Sequence, residues 1–417
     1  MNPSRILQTI AGIVPAVSVL AIPVSAIALT AGNAQAGGQA FEYELIVVEP
    51  QWDGSSGFSI FSKVSDDGVA HGTSTVRIPA PNGYRIIEET ITWSQNEGYR
   101  VRPGLAAFNN RGDEVISSPN GQWLTIEFAD GTSETIFTFP GDVAIGASVI
   151  TENGLVAGCS VGQGQISQGT TCTGYFWTLD RGGVPLRDTG LVPAAVNIRS
   201  ANANGEMVGI SGNGLFANNQ AFYFDSRTDE HIPLHPLLVS KGTSGVLSSA
   251  EDINDHGVVV GSRNTGFNGN IRGFMWSRDD GVQLLPVDLS APRAINNEGV
   301  IVGQSLRYIP GEGVANLNDL ADTGTFTIAQ ARDISDNGVI VGWGRRQGSS
   351  IWTAFMLVPL NGCPADLTGD GNLDFFDVSA FLNAFSAQDP IADFNADGSI
   401  DFFDVSDYLQ AFNAGCP

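Results

Sequence analysis

At 417 residues the chain has room for a sizeable core and a smaller module, so two domains are the natural expectation. Its formal net charge is −24, with 20 Lys and Arg against 44 Asp and Glu, which argues against a nucleic-acid partner because too little positive charge is present to neutralise phosphates. The acidity fits an extracellular surface instead.

Residues 1–36 have the pattern of an export signal. A single Arg5 precedes an apolar run from Ile6 to Leu29, and Ala34-Gln35-Ala36 before Gly37 is the small-x-small pattern of signal peptidase. The run is long enough to span a bilayer, yet Pro15, Pro23 and the cleavage pattern favour removal over a retained anchor. The expected mature chain is therefore secreted or at the cell surface, with no stable membrane span. Four Cys in an exported chain suggest two disulfides. Cys159 and Cys172 flank a Gly/Gln/Ser-rich stretch and are expected to staple a hairpin; Cys363 and Cys416 would join the two ends of the C-terminal segment. Redox and zinc readings have little support, since there is no Cys-x-x-Cys and the four His are scattered.

Residues 37–359 carry one repeated signal, an apolar-Asn/Ser-x-x-Gly turn followed by a β-branched run that commonly ends in Gly. It is clearest in Ile253-Asn-Asp-His-Gly257-Val-Val-Val-Gly261 and Ile334-Ser-Asp-Asn-Gly338-Val-Ile-Val-Gly342. The turn glycines Gly68, Gly112, Gly154, Gly205, Gly257, Gly299 and Gly338 are spaced by 44, 42, 51, 52, 42 and 39 residues. A sevenfold period of this length calls for a repeat architecture. Within one repeat the turn predicts a hairpin, with Asn tolerating left-handed backbone, Gly supplying positive φ and the valine run forming a strand buried on both faces. Farther on, Tyr175-Phe176-Trp177, Ala221-Phe222-Tyr223 and Phe274-Met275-Trp276 predict aromatic strands that fill the space between neighbouring sheets. Thr178-Leu-Asp180-Arg-Gly182 and Ser277-Arg-Asp279-Asp-Gly281 resemble the Asp-box turn of sialidase-type propellers, without its closing Trp.

The set resembles the extracellular HAF repeat, whose core is Ile-Asn-x-x-Gly-x-Val-Val-Gly with a following Ala/Gly-Phe-x-Trp strand. The resemblance implies a mainly β fold, a β-propeller of seven blades. Six blades are the alternative, with the Gly68 repeat supplying closing strands. The last repeat shows two clear strands before Pro359, so Phe41 to Val48 is expected to return and complete the final blade.

No catalytic constellation stands out in this region. His71 and His256 lie in or beside repeat turns, and His231 and His235 flank a Pro-interrupted stretch unsuited to a zinc-binding helix. Gly-x-Ser-x-Gly and His-Glu-x-x-His are absent. Trp52, Trp123 and Trp343 fall off the repeat positions and are candidates for an exposed binding face.

The densest chemistry lies in residues 360–417, where one twelve-residue loop occurs twice, 27 residues apart. The first loop places Asp366, Thr368, Asp370, Asn372 (through its carbonyl), Asp374 and Asp377 at positions 1, 3, 5, 7, 9 and 12. The second places Asp393, Asn395, Asp397, Ser399 (through its carbonyl), Asp401 and Asp404 at the same positions, with Gly371 and Gly398 at position 6 of the two loops. Calcium takes about six to eight hard oxygen ligands, and this spacing wraps them around one point, so two calcium ions are expected. Thr368 in place of Asn or Asp makes the first site the weaker one. Helical stripes follow each loop, Val378/Phe381/Phe385 and Val405/Tyr408/Phe412, and should pack on each other. A segment this short needs metal or a disulfide to hold it.

This unit resembles the type I dockerin domain, a duplicated calcium-loop-and-helix module that plugs its cargo into a cohesin domain on a scaffold or cell surface. The resemblance implies that a cohesin-like or other scaffold protein is read by Phe375, Phe376, Phe402 and Phe403 at loop positions 10 and 11, with Leu382, Asn383, Leu409 and Gln410 on the helices. Dockerins usually carry small or polar residues at those loop positions, and the alternative is that one Phe of each pair belongs to the core. The sequence thus describes a secreted, non-catalytic interaction propeller docked by a calcium-dependent module. The alternative is a carbohydrate-active enzyme, a glycoside hydrolase or lyase, since dockerins mostly carry polysaccharide-degrading cargo; an extracellular polysaccharide is then the second candidate partner.

Overall fold

The structure is a computed structural model. It describes residues 42–50, 57–80, 83–162, 172–186, 196–212, 219–238, 247–264, 270–360, 365, 367, 373, 375–392, 394 and 400–414. The export signal expected at residues 1–36 lies outside them, and no helix among them is long and apolar enough to cross a membrane.

Each turn glycine marks one four-stranded antiparallel sheet, and there are seven. After β1 (Tyr43–Val48), blade one holds β2 (Ser59–Val64), β3 (Ala70–Ala80), β4 (Gly83–Ser94) and β5 (Gly98–Val101). Blade two holds β6 (Leu105–Phe108), β7 (Glu114–Ser117), β8 (Trp123–Glu127) and β9 (Ser133–Phe137). Blade three holds β10 (Asp142–Ile150), β11 (Val156–Gly162), β12 (Cys172–Thr178) and β13 (Gly182–Pro185). Blade four holds β14 (Val196–Ala201), β15 (Glu206–Ser211), β16 (Gln220–Asp225) and β17 (Glu230–Pro233), followed by the single helical turn α1 (His235–Leu238). Blade five holds β18 (Ser248–Ile253), β19 (Val259–Asn264), β20 (Ile271–Ser277) and β21 (Gly281–Leu284). Blade six holds β22 (Ala294–Ile295), β23 (Ile301–Gly303), β24 (Leu306–Ile309) and β25 (Gly313–Asn316), followed by α2 (Leu317–Leu320). Blade seven takes β26 (Phe326–Ile334), β27 (Ile340–Arg346) and β28 (Thr353–Pro359) from its own repeat, one strand more than its pattern shows, and β1 as its outermost strand. β1 pairs with β28 from Tyr43↔Pro359 to Val48↔Ala354, which closes the ring as expected. The fold is a seven-bladed β-propeller. Six blades are excluded, because the Gly68 turn joins β2 to β3 inside a blade of its own.

The first strand of each sheet is the innermost. These strands touch in succession from β6 through β26 and on to β2, so they ring a central channel. The apolar cores lie between blades: Val208 and Tyr223 of blade four, for example, pack with Ala250, Val259, Phe274 and Trp276 of blade five. The aromatic strands are the third of their sheets, and Tyr175, Phe176, Phe222, Tyr223 and Phe274 are buried there as expected.

The turn glycines supply positive φ as the sequence predicts, whereas the Asn plays a different part. Positive φ in these turns belongs to the glycine, as at Gly257 (φ 73°), and not to the Asn. Asn254 instead accepts the backbone N–H groups of His256 (3.2 Å) and Val258 (3.0 Å) and donates through Nδ2 to the carbonyl of Asn296 in the next blade (3.0 Å). Asn109, Asn202 and Asn296 make the same link to the turns that follow them, at 2.9, 2.9 and 3.1 Å. The Asn is thus a cap on its own turn and a latch between blades. The glycine ending the valine run faces a one-residue bulge in the inner strand; a Cβ at Gly209 would stand 2.1 Å from the carbonyl oxygen of Asn197.

Beyond the propeller lie α3 (Phe375–Ala387), a short 3-10 turn (Pro390–Ala392) and α4 (Phe402–Ala414).

Candidate docking face on the C-terminal helices

The 27-residue duplication reappears as a paired core. Phe381 and Tyr408 stack with ring centroids 4.0 Å apart and planes 6° from parallel, and Phe394 meets both edge-on, at 6.2 and 5.4 Å. Around them sit Leu367 and Phe394, Leu373 and Ile400, Val378 and Val405, and Phe385 and Phe412, each pair one repeat apart. The two helical stripes therefore pack on each other as expected. Burial, with the charge of Asp377, pushes the Tyr408 hydroxyl up to about 12.

Of the twelve expected calcium ligands, Asp377, Asp401 and Asp404 lie among the described residues, and the other nine lie outside them. Among the described residues no three metal-ligating side chains cluster. Asp377 and Asp404, in the first turns of α3 and α4, are completely buried. Asp404 accepts the backbone N–H of Phe394 at 2.8 Å through Oδ1 and that of Asp401 at 2.7 Å through Oδ2, so it reaches across its loop from position 12 to positions 2 and 9. Asp401 caps the helix by accepting the N–H of Phe403 at 2.8 Å. Residues 363–417 contain ten Asp and no Lys or Arg. The N-termini of α3 and α4 favour the two buried carboxylates. An all-oxygen, carboxylate-rich donor set fits a hard divalent cation such as calcium.

Both rings of each Phe pair stand outside the core. Phe375 is 76% exposed, Phe376 67%, Phe402 75% and Phe403 66%. The alternative that one ring of each pair is core is thereby corrected, because the inner helix faces are already filled by Val378, Phe381, Phe385 and their repeats. Leu382, Asn383, Leu409 and Gln410 are exposed as well. Four exposed aromatic rings and two leucines on so small a module exceed ordinary surface apolarity.

The propeller's own candidates disperse. Cys159 and Cys172 form a disulfide between β11 and β12, as expected of a stapled hairpin, while Cys363 and Cys416 lie outside the described residues. His231 lies beside the Phe222 ring and His235 bonds through Nδ1 to the Ser248 hydroxyl at 2.8 Å, so the two have different neighbours. His256 is an exposed turn residue. His71 lies against Phe108 and the Leu105 carbonyl, and burial lowers it to about 4. Trp52 is outside the described residues, and Trp123 and Trp343 belong to blades two and seven, which are not adjacent. The two Asp-box-like segments are the turns from β12 to β13 and from β20 to β21.

No protein-family model and no curated protein sequence matches the chain. Among solved structures it is similar to virginiamycin B lyase from Staphylococcus aureus, at 11% identity and TM-score 0.45, covering 76% of this chain and 99% of that one. It is also similar to the β-propeller domain of the Trilobed protease from Pyrococcus furiosus, at 7% identity and TM-score 0.47, covering 72% and 93%. At these values neither likeness bears on function.

Proposed function

We propose that the chain is a secreted, non-catalytic binding propeller that docks onto a cell-surface or extracellular scaffold protein through a calcium-dependent, dockerin-like C-terminal module. The observation that carries this reading is the pair of exposed Phe dipeptides at the starts of two helices related by the 27-residue duplication, each beside a buried Asp of a calcium-type loop. Burying one such ring in a partner is worth roughly 1.5–3 kcal/mol, so the cluster is a sufficient anchor. Ten Asp without a basic residue favour a scaffold face rimmed with Lys or Arg. On the propeller side, the recurrent polar residues are occupied in turns and latches, which supports a platform rather than a catalyst.

Calcium titration into the EDTA-stripped full chain is expected to show two ions, with Asp370→Ala and Asp397→Ala each removing one. Phe376→Ser combined with Phe403→Ser should keep both ions and lose calcium-dependent capture by a cohesin domain. Absence of calcium uptake would sink the docking reading, and release of reducing ends from a polysaccharide would sink the non-catalytic one.

A further inference from the structure

Three residues ahead of each turn's first residue, the inner strand carries the residue that stands at its bulge. In blades one to three it is small and uncharged: Ser62, Ala106 and Ser148. In blades four, five and seven it is Arg199, Glu251 and Arg332, and in blade six, whose inner strand is short, Arg293 holds the same place. A bulge re-aims its side chain out of the regular alternation. On an innermost strand whose flanking residues pack against neighbouring blades, the remaining direction is the channel. Arg199 shows this, being exposed between the buried Ile198 and Ser200.

The channel is lopsided at this level, with small residues along one side and three guanidinium groups with one carboxylate along the other. Glu251 is engaged, accepting from Arg293 Nη1 at 3.1 Å and from the Ser249 hydroxyl. Arg332 has no carboxylate at ion-pair distance among the described residues and lies over the Trp343 ring, 5.4 Å from its centroid. The Nε atoms of Arg293 and Arg332 are both buried without a hydrogen-bond partner. Burial and then the charge of Arg293 hold Arg332 below the usual arginine range, with Glu251 and Asp333 opposing and Arg199 adding a smaller push, so the guanidinium groups act on one another. Asp333, next in sequence, is turned to the Val64 N–H (2.9 Å) and Lys63 (3.3 Å) of blade one. Among the described residues a chain of net charge −24 has thus gathered three arginines at these positions with a single facing Glu, an arrangement that costs repulsion and leaves buried donors unused.

We propose that this half of the channel is a binding site for an oxyanion, the carboxylate or sulfate group of a small acidic ligand. Arg293 and Arg332 hold its oxygens through their planar forks, Arg199 adds the third positive charge, and the small side at Ser62, Ala106 and Ser148 leaves it room. The proposal rests on the reading of the propeller as a binding platform and is independent of the docking module.

The test is calorimetric titration of the calcium-loaded full chain at low ionic strength, with inorganic sulfate in one arm and glucuronate in the other. Saturable one-site binding is expected in at least one arm, and the arm that binds tells sulfate from carboxylate. Arg332→Gln should weaken it at least tenfold. Ala106→Glu, which places an internal carboxylate in the channel and leaves every arginine intact, should do the same with an unchanged thermal midpoint. No binding of either anion to the wild-type chain, or unaltered binding in both variants, overturns the proposal. Calcium-dependent capture measured on the same preparations separates this failure from failure of the docking reading.

Discussion

A methyl group added to Gly261 would stand 2.1 Å from the carbonyl oxygen of Ser249 and 2.8 Å from the Phe274 ring, against a strand whose path is set by its own bulge. Gly182, in the turn from β12 to β13, has φ 66° and nothing within 4 Å of the same methyl. The first glycine is needed for space and the second for backbone conformation. Gly261→Ala is therefore expected to cost about 3 kcal/mol and Gly182→Ala about 1 kcal/mol in urea unfolding. The opposite ranking would remove the steric reading of the motif's final glycine. His71 supplies a pH dependence at the same scale. Its folded value of about 4 lies below its ordinary 6.5 because burial penalises the imidazolium. It contributes stability that is present above pH 6.5 and lost as pH falls towards 4, at most about 3 kcal/mol. Unfolding at pH 7 and at pH 4.5 should show the wild-type chain losing more than His71→Gln, and equal losses would place the acid sensitivity elsewhere.

At the scale of elements, the hairpins were legible because two constraints leave marks in neighbouring residues. A turn needs positive φ, which selects Gly, and a strand packed on both faces selects a β-branched run. The reason for Asn254 was not legible, since the group it binds, the Asn296 carbonyl, lies 42 residues away in the next blade. The outer strands left little trace: β17 and β21 are short and half-exposed, so no alternation builds up. The channel arginines were within reach only by aligning the repeats on their turns, because Arg199, Arg293 and Arg332 are far apart in the chain and carry no motif of their own. On the C-terminal module, the calcium-loop spacing was legible, and the orientation of the Phe rings follows from where the helices begin. At about 100° per residue, Phe376 lies about 140° and Phe375 about 240° from the core residue Phe381, which puts both rings on the far side of α3.

For the whole molecule the decisive contacts are those that close the ring. The start of β1 is tied to blade six: Glu42 donates its N–H to the Leu320 carbonyl at 2.9 Å, and its carboxylate pairs with Arg307 at 2.6 Å. Arg307 also covers the Tyr43 ring, 5.5 Å from its centroid. At the other end of β1 the Ser59 hydroxyl donates to the Val48 carbonyl at 2.7 Å and accepts the Ala354 N–H at 3.0 Å, linking blade one to blade seven. β1 therefore closes the circle and covers β28, where Ala354, Phe355, Met356 and Leu357 are buried. Removing residues 43–48 would turn that apolar strand into an open edge, a template for pairing with a second chain. The shortened chain is expected to unfold about 10 °C or more below the wild type and to form concentration-dependent oligomers in size-exclusion chromatography. A synthetic peptide spanning residues 41–49 should restore the monomer by refilling the edge in trans. Rescue separates loss of closure from general destabilisation. A shortened chain that stayed monomeric with an unchanged midpoint would mean that the cores between blades hold the circle by themselves.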